Sequence, residues 1–201
     1  MSFSCNISYV FSSGESLAVD FSLSNGDILH LQGNNASGKT TTFNLINGFL
    51  TPGSGRAVLN DVVLFDKVGG INIPVRHRHI ARVFQNSYLF PNMSVKKNLD
   101  FANKNPTLLE NLVKALDLTP LMGKFPAGLS GGQLQKVAIV QSLINNPQLL
   151  LLDEAFSNLD VSTKNIIKAY IIAAKIPVII TSHNSEDTDG FVNKVYKIPV
   201  A

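Results

Sequence analysis

The sequence of 201 residues contains one cysteine and no tryptophan, and only 15% of its residues are charged. Cys5 has no second thiol with which to close an internal disulfide, so stability must come from packing alone, as in a reducing compartment. It is expected as a buried strand residue. A net formal charge of +3 is modest and argues against a nucleic-acid-binding face. The densest basic stretch, residues 76–82 with His77 and His79 among the arginines, reads as a solvated loop and strand start. No basic, apolar, small-residue leader opens the chain, which predicts a cytoplasmic location. Long hydrophobic runs are missing too: residues 166–180 are interrupted by Lys168, Lys175 and Pro177 and fall short of the ~20 apolar residues that a spanning helix needs. Any action at a membrane then requires another chain to cross it. There is no internal repeat, heptad run or low-complexity tract. What remains is an ordinary globular composition, 45% hydrophobic, of a length suited to one well-buried domain.

Alternation of period two over residues 3–10 and 17–23 predicts two antiparallel strands joined by a turn at Ser12-Ser13-Gly14-Glu15. Residues 27–31 form a short strand that feeds a glycine loop. Residues 38–49 read as a helix, 57–64 and 80–84 as strands, and 95–118 as helices broken at Asn105-Pro106. The region 86–129 is therefore a helical insertion between strand-rich parts. A helix over 131–144, an apolar strand over 148–152, a helix over 162–174 and strands over 178–181 and 192–198 complete the chain. Strands alternating with helices predict an α/β fold whose core sheet is mostly parallel and covered on both faces, with ligands at the carboxyl ends of its strands. The antiparallel strands precede this core, and residues 1–201 make a single domain.

Gly33-Asn34-Asn35-Ala36-Ser37-Gly38-Lys39-Thr40 has the pattern G-x-x-x-x-G-K-[ST], directly after a strand and directly before a helix. Glycine lets such a backbone wind tightly, so that its N–H groups point at phosphate oxygens and the helix adds its positive end. Lys39 is placed to reach the β and γ phosphates of ATP, and Thr40 to give a hydroxyl to Mg²⁺. Thr41 and Thr42 suit helix and phosphate contacts.

The apolar run Leu149-Leu150-Leu151-Leu152 ends in Asp153-Glu154, two acids where the sheet opens on the phosphates. Asp153 suits Mg²⁺, held through water, and Glu154 can orient and deprotonate the water that attacks the γ phosphorus. A little earlier, Leu129-Ser130-Gly131-Gly132-Gln133 opens a helix with a serine cap and glycine amides directed at an anion.

The order of phosphate loop, Gln85, Leu-Ser-Gly-Gly-Gln, Asp153-Glu154, Ser157-Asn158-Leu159-Asp160 and His183 resembles ABC ATPases over nearly the whole chain. The resemblance implies a P-loop nucleotide-hydrolase core with a small inserted helical subdomain, and a head-to-tail dimer. Each ATP then lies between the phosphate loop of one subunit and Ser130, Gly131, Gly132 and Gln133 of the other. It further implies that Gln85 senses the γ phosphate through Mg²⁺ and water, that Asp160 lies in a loop crossing the dimer interface, and that His183 contacts the γ phosphate and positions Glu154. An aromatic residue upstream of the phosphate loop stacks on adenine in such proteins; Phe11 matches best and Tyr9 is the alternative.

Ala155 and Leu134 depart from the proline and arginine usual in the family, and the stretch 160–183 is short. No regulatory domain is expected after residue 201. The segment 83–99 is similar to that of bacterial importer ATPases for molybdate, thiamine, sulfate or ferric iron. In those, a coupling helix from the membrane subunit docks on the helical lobe, and Tyr88, Leu89, Phe90 and Met93 are the matching apolar cluster. The resemblance implies an ATP-hydrolysing subunit at the cytoplasmic face of the inner membrane, partnered by a second ATPase subunit, integral membrane permease subunits and a solute-binding protein, without nucleic acid. An export ATPase, such as that for haem in cytochrome maturation, and a soluble ABC ATPase of translation or DNA repair are the alternatives. A nucleotide sensor without hydrolysis is disfavoured, because Lys39, Glu154 and His183 are all present.

Overall fold

Residues 1–85 and 88–199 are described by the computed structural model. The chain begins with a hairpin in which β1 (Ser2–Val10) pairs antiparallel with β2 (Ser16–Ser24), from Ser2 opposite Ser24 to Val10 opposite Ser16. Alternation puts Phe3, Cys5 and Ile7 inside and the serines and Asn6 outside, and burial drives the Cys5 thiol far above its ordinary range. β4 (Ser54–Leu59), β5 (Val62–Asp66) and β6 (Ile71–Asn72) extend this sheet in the order β2-β1-β4-β5-β6. The single strand expected over 57–64 is thus two. Asn60 and Asp61 both take positive φ, 48° and 66°, and reverse the chain in a tight turn without any glycine.

The second sheet is parallel throughout, in the order β10-β3-β9-β8-β7. Its strands are β3 (Ile28–Gln32), β7 (Ile80–Val83), β8 (Leu149–Asp153), β9 (Val178–Thr181) and β10 (Lys194–Lys197). Every residue of β8 and β9 is buried, as a strand covered on both faces requires. Leu149 and Leu151 join a core with α1 (Lys39–Asn47) and the antiparallel sheet. Leu150 and Leu152 join a second core on the other face with α2 (Val95–Ala102), α3 (Pro106–Ala115), α4 (Gly131–Ile144) and α5 (Val161–Ala174). At roughly 1.5–3 kcal/mol for each fully buried aliphatic side chain, β8 alone ties the two layers together strongly.

Helix starts follow local chemistry. The side chains of Ser94, Asn105, Ser130 and Asp160 accept from backbone N–H groups in the first turns of α2, α3, α4 and α5, each cap stabilising by about 1 kcal/mol. Pro106 opens α3, where its missing N–H costs nothing. The short α6 (Ser185–Thr188) and the two-residue β6 carry too little periodicity to stand out in the sequence. Asn86 and Ser87, at the start of the expected insertion, lie outside the described residues.

The basic stretch 76–82 is corrected by the structure. Arg76, His77 and His79 are exposed, but Arg78 is fully buried. Its guanidinium donates to the carbonyls of Ile73 at 2.8 Å, Leu45 at 3.2 Å and Ile46 at 2.8 Å, and to Asn72 Oδ1 at 2.7 Å. It thereby closes the carbonyl end of α1. Gly48, at φ 88°, ends that helix, and a Cβ there would lie 2.6 Å from Arg78 Nε. The side chain of Arg82 is buried as well, in an ion pair with Asp153.

Candidate functional site

The loop from β3 to α1 turns on Ala36 at φ 64° and Gly38 at φ 94°. A side chain on Gly33 would overlap the Ser37 hydroxyl, and one on Gly38 would press on Leu17 as well as strain the backbone. Lys39 Nζ donates to the carbonyls of Gly33 at 2.7 Å and Asn34 at 3.0 Å, which curls the amine back over the loop. Thr42 Oγ1 donates to the Gly38 carbonyl at 2.9 Å inside the core.

A cavity of about 340 Å³ is lined by Asn35, Ala36, Ser37, Gly38, Lys39, Thr40, Thr41, Glu154 and His183. Residues far apart in sequence therefore share one space, because β3, β8 and β9 are parallel neighbours and their carboxyl ends open on the same side.

Asp153 ends β8 opposite Thr181 of β9. Its Oδ1 accepts from Thr181 Oγ1 at 2.9 Å and its Oδ2 from Arg82 Nη2 at 2.7 Å. Glu154 follows in the left-handed region, φ 50°, and its N–H donates to both the carbonyl and Oγ1 of Thr181, each at 3.1 Å. A non-glycine residue held in that region by an N–H shared between two acceptors on the adjacent strand is a strained, oriented group. Gln85 Nε2 donates to Glu154 Oε2 at 3.1 Å, and His183 Nε2 lies 3.2 Å from Glu154 Oε1. The carboxylate is thus bracketed by an amide and an imidazole.

His183 sits between anchored neighbours. Ser182 Oγ donates to Asp187 Oδ2 at 2.6 Å, and Asp187 is in turn paired with Lys164 of α5 at 2.7 Å, both side chains buried. His30 of β3 is buried below, with Nε2 3.3 Å from the Ser182 carbonyl. Burial, with the nearby His183 and Lys39, holds His30 below its ordinary pKa, although its bond with Ser182 opposes that shift.

Ser130 and Gln133 form a reciprocal capping box at the start of α4, and a Cβ on Gly132 would lie 2.5 Å from the Asn158 carbonyl. Gly131 has open space at that point. None of these four lines the phosphate-loop cavity of the same chain. Asp160 caps α5, and its bonds from Ser162 Oγ, Thr163 N–H and Thr163 Oγ1 hold its carboxyl well below the usual carboxylate range. Tyr9 and Phe11 meet edge to face at 5.3 Å at the end of β1, so the two candidates for stacking form one aromatic pair.

Sequence reasoning missed Arg82, Thr181 and His30. The available signals were a cation and an imidazole inside otherwise apolar strands, and a hydroxyl at a strand's carboxyl end.

The family model described as ABC transporter matches residues 17–157. The molybdenum import ATP-binding protein ModC of Vibrio parahaemolyticus is 38% identical over 175 residues, covering 84% of this chain and 48% of its own length. The protein of the same name from Brucella melitensis is 35% identical over 179 residues, covering 85% and 50%. The chain spans about half the length of the curated relatives it matches. Among solved structures, an ATP-binding subunit of an ABC transporter superposes with a TM-score of 0.84 at 21% identity, over 98% of this chain and 85% of that one. A dimeric ATP-binding cassette bound to ADP and Pi in a post-hydrolysis state gives 0.77 at 22% identity, over 98% and 94%. These two share the fold: a parallel sheet, an antiparallel sheet and packed helices. The chain belongs to the ABC transporter family.

Proposed function

We propose that this chain is the ATP-binding and ATP-hydrolysing subunit of an ABC importer, and that it works as a head-to-tail dimer at the cytoplasmic face of the membrane. The observation that carries the reading is the Glu154–His183 pair facing the phosphate loop across one cavity, with Gln85 hydrogen-bonded to Glu154. A general base held by two hydrogen-bonding neighbours beside an anion cradle is what hydrolysis of a phosphoanhydride requires.

In this reading the N–H groups of the loop from Gly33 to Thr41 and the amine of Lys39 receive the phosphates, with the amine exchanging its loop carbonyls for phosphate oxygens. Thr40, Gln85 and Asp153 are oxygen donors suited to Mg²⁺, and no cluster of acids and imidazoles able to cage a metal unaided is found among the described residues. Such a sparse oxygen set fits an ion that retains water and phosphate oxygens as ligands. Mg²⁺ supplies charge neutralisation on the phosphate oxygens. Glu154 orients the attacking water and takes its proton, while His183 fixes the Glu154 carboxylate and Gln85 shares in the same network. Ser130, Gly131, Gly132 and Gln133 complete the partner's nucleotide site, with Asp160 near the junction, and the Phe11–Tyr9 pair offers a face for adenine.

Residues 86–129 serve as a helical subdomain within a single ATPase domain. Tyr88, Phe90 and Phe101 are 72%, 45% and 69% exposed, and Phe90 meets Phe101 at 5.1 Å; this apolar patch supports docking of a membrane permease, whereas Leu89 packs on the core. No described helix is long and apolar enough to cross a membrane. The relatives named molybdenum import ATP-binding proteins support molybdenum as the cargo, and the importer reading implies a solute-binding protein as a further partner.

The test is Glu154→Gln, with phosphate release and light scattering as the readouts. ATP binding should persist, hydrolysis should fall by at least a hundredfold, and an ATP-dependent dimer should accumulate. Turnover at the parent rate would overturn the assignment of Glu154 as the base.

A further inference from the structure

Arg82 is the one charged residue of β7, an edge strand that among the described residues pairs only with β8. Its side chain is 2% exposed. Burying a guanidinium is costly, and the cost is only partly offset here. Nη2 donates to Asp153 Oδ2 at 2.7 Å and Nη1 to Asn44 Oδ1 at 2.6 Å, while Nε is buried without a partner. The plane lies 4.4 Å from the ring centre of Phe84 and 5.4 Å from that of Phe43. An apolar side chain would fill the space between those rings and leave no orphaned donor. The strand therefore does not need an arginine for packing; what a cation alone provides at this position is a counter-charge to Asp153.

Asp153 is also constrained geometrically, because Thr181 Oγ1 occupies one oxygen and Arg82 the other. Each oxygen keeps a free lone pair, so the carboxylate can still accept from water, but its plane is fixed and its charge is balanced from behind.

We infer that Arg82 is a positioning residue that sets the Mg²⁺ requirement of nucleotide binding by neutralising Asp153 from within the fold. This rests on the reading of the cavity as a Mg·ATP site. With Asp153 balanced, the chain alone attracts divalent cations weakly, and the ion enters with the phosphates that supply its remaining negative charge. Removing the cation leaves an unbalanced carboxylate charge at the carboxyl end of β8, next to Glu154.

The experiment is binding of the fluorescent analogue methylanthraniloyl-ATP to the purified chain as a function of free Mg²⁺, with thermal unfolding as a check of folding. Arg82→Gln keeps polar contact with Asp153 but removes the charge, and should lower the half-saturating free Mg²⁺ by about tenfold or more. Arg82→Lys keeps the charge and should stay within about threefold of the parent. If Arg82→Met folds, it should shift as Arg82→Gln does; if it does not fold, the glutamine variant carries the test. Parent-like half-saturation in folded Arg82→Gln would overturn the inference, and so would an equal shift in Arg82→Lys, which would assign the effect to geometry. A parent chain that binds the analogue without any dependence on Mg²⁺ would instead overturn the Mg·ATP reading beneath it.

Discussion

Replacing Arg78 with methionine should be among the most damaging single changes outside the nucleotide cavity. The guanidinium gives four hydrogen bonds, three of them to carbonyls, two of which lie at the end of α1. Each carbonyl left buried without a donor costs about 1–3 kcal/mol, and the cation also faces the negative end of the α1 dipole, a contact of about 0.3–1 kcal/mol. Against this, methionine fills much of the same space and relieves the burial of a charge that no carboxylate pairs with among the described residues. The net loss should be about 2–4 kcal/mol, which for a chain of this size lowers Tm by about 5–15 °C. Urea unfolding should show a reduced midpoint with an unchanged slope. Arg76→Met, two residues away and exposed, should stay within about 0.5 kcal/mol of the parent. A loss below 1 kcal/mol for Arg78→Met, or equal losses for both, would refute the assignment of Arg78 as the clasp on α1. Because α1 begins at Lys39, the same variant should also weaken ATP binding.

Three further outcomes can be checked directly. Burial depresses the pKa of His30 in the folded state, so the unfolded chain binds the proton more readily, and stability should fall as pH drops below about 6.5 until the folded-state pKa is passed. His30→Gln should flatten that dependence in urea titrations between pH 5 and 7.5, and an unchanged slope would refute it. Gly131→Ala meets open space within the chain and should leave Tm unchanged, yet lower ATP turnover at least tenfold in the dimer. Gly132→Ala, whose Cβ would strike the Asn158 carbonyl, should lower both.

Legibility in the sequence followed locality. The helix Gly131–Ile144 was readable to the residue because Ser130 and Gln133 cap each other within one turn. The strand Val178–Thr181 was equally plain, since no polar residue interrupts it before its end. The hairpin around Asn60-Asp61 was hidden because two positive-φ residues did the work usually signalled by glycine. The burial of Arg78 and Arg82 is hidden for a deeper reason: it depends on Leu45, Ile46, Asn44 and Asp153, partners contributed by segments that only the folded sheet brings near. The members of the Gln85–Glu154–His183 cluster were named from their order along the chain, but their mutual distances, and the participation of Thr181, belong to tertiary structure.

The alternation along β8 has a mechanical meaning. With Leu149 and Leu151 embedded on one side and Leu150 and Leu152 on the other, the strand is a shared wall, and neither chamber can loosen without exposing the other. Unfolding should be a single cooperative event, and the acids at the end of that wall cannot be carried by a sliding strand. On the proposed function, any displacement that accompanies turnover would be taken up by the loops and helices around the sheet, with Asp153 at the end of β8 as the fixed reference.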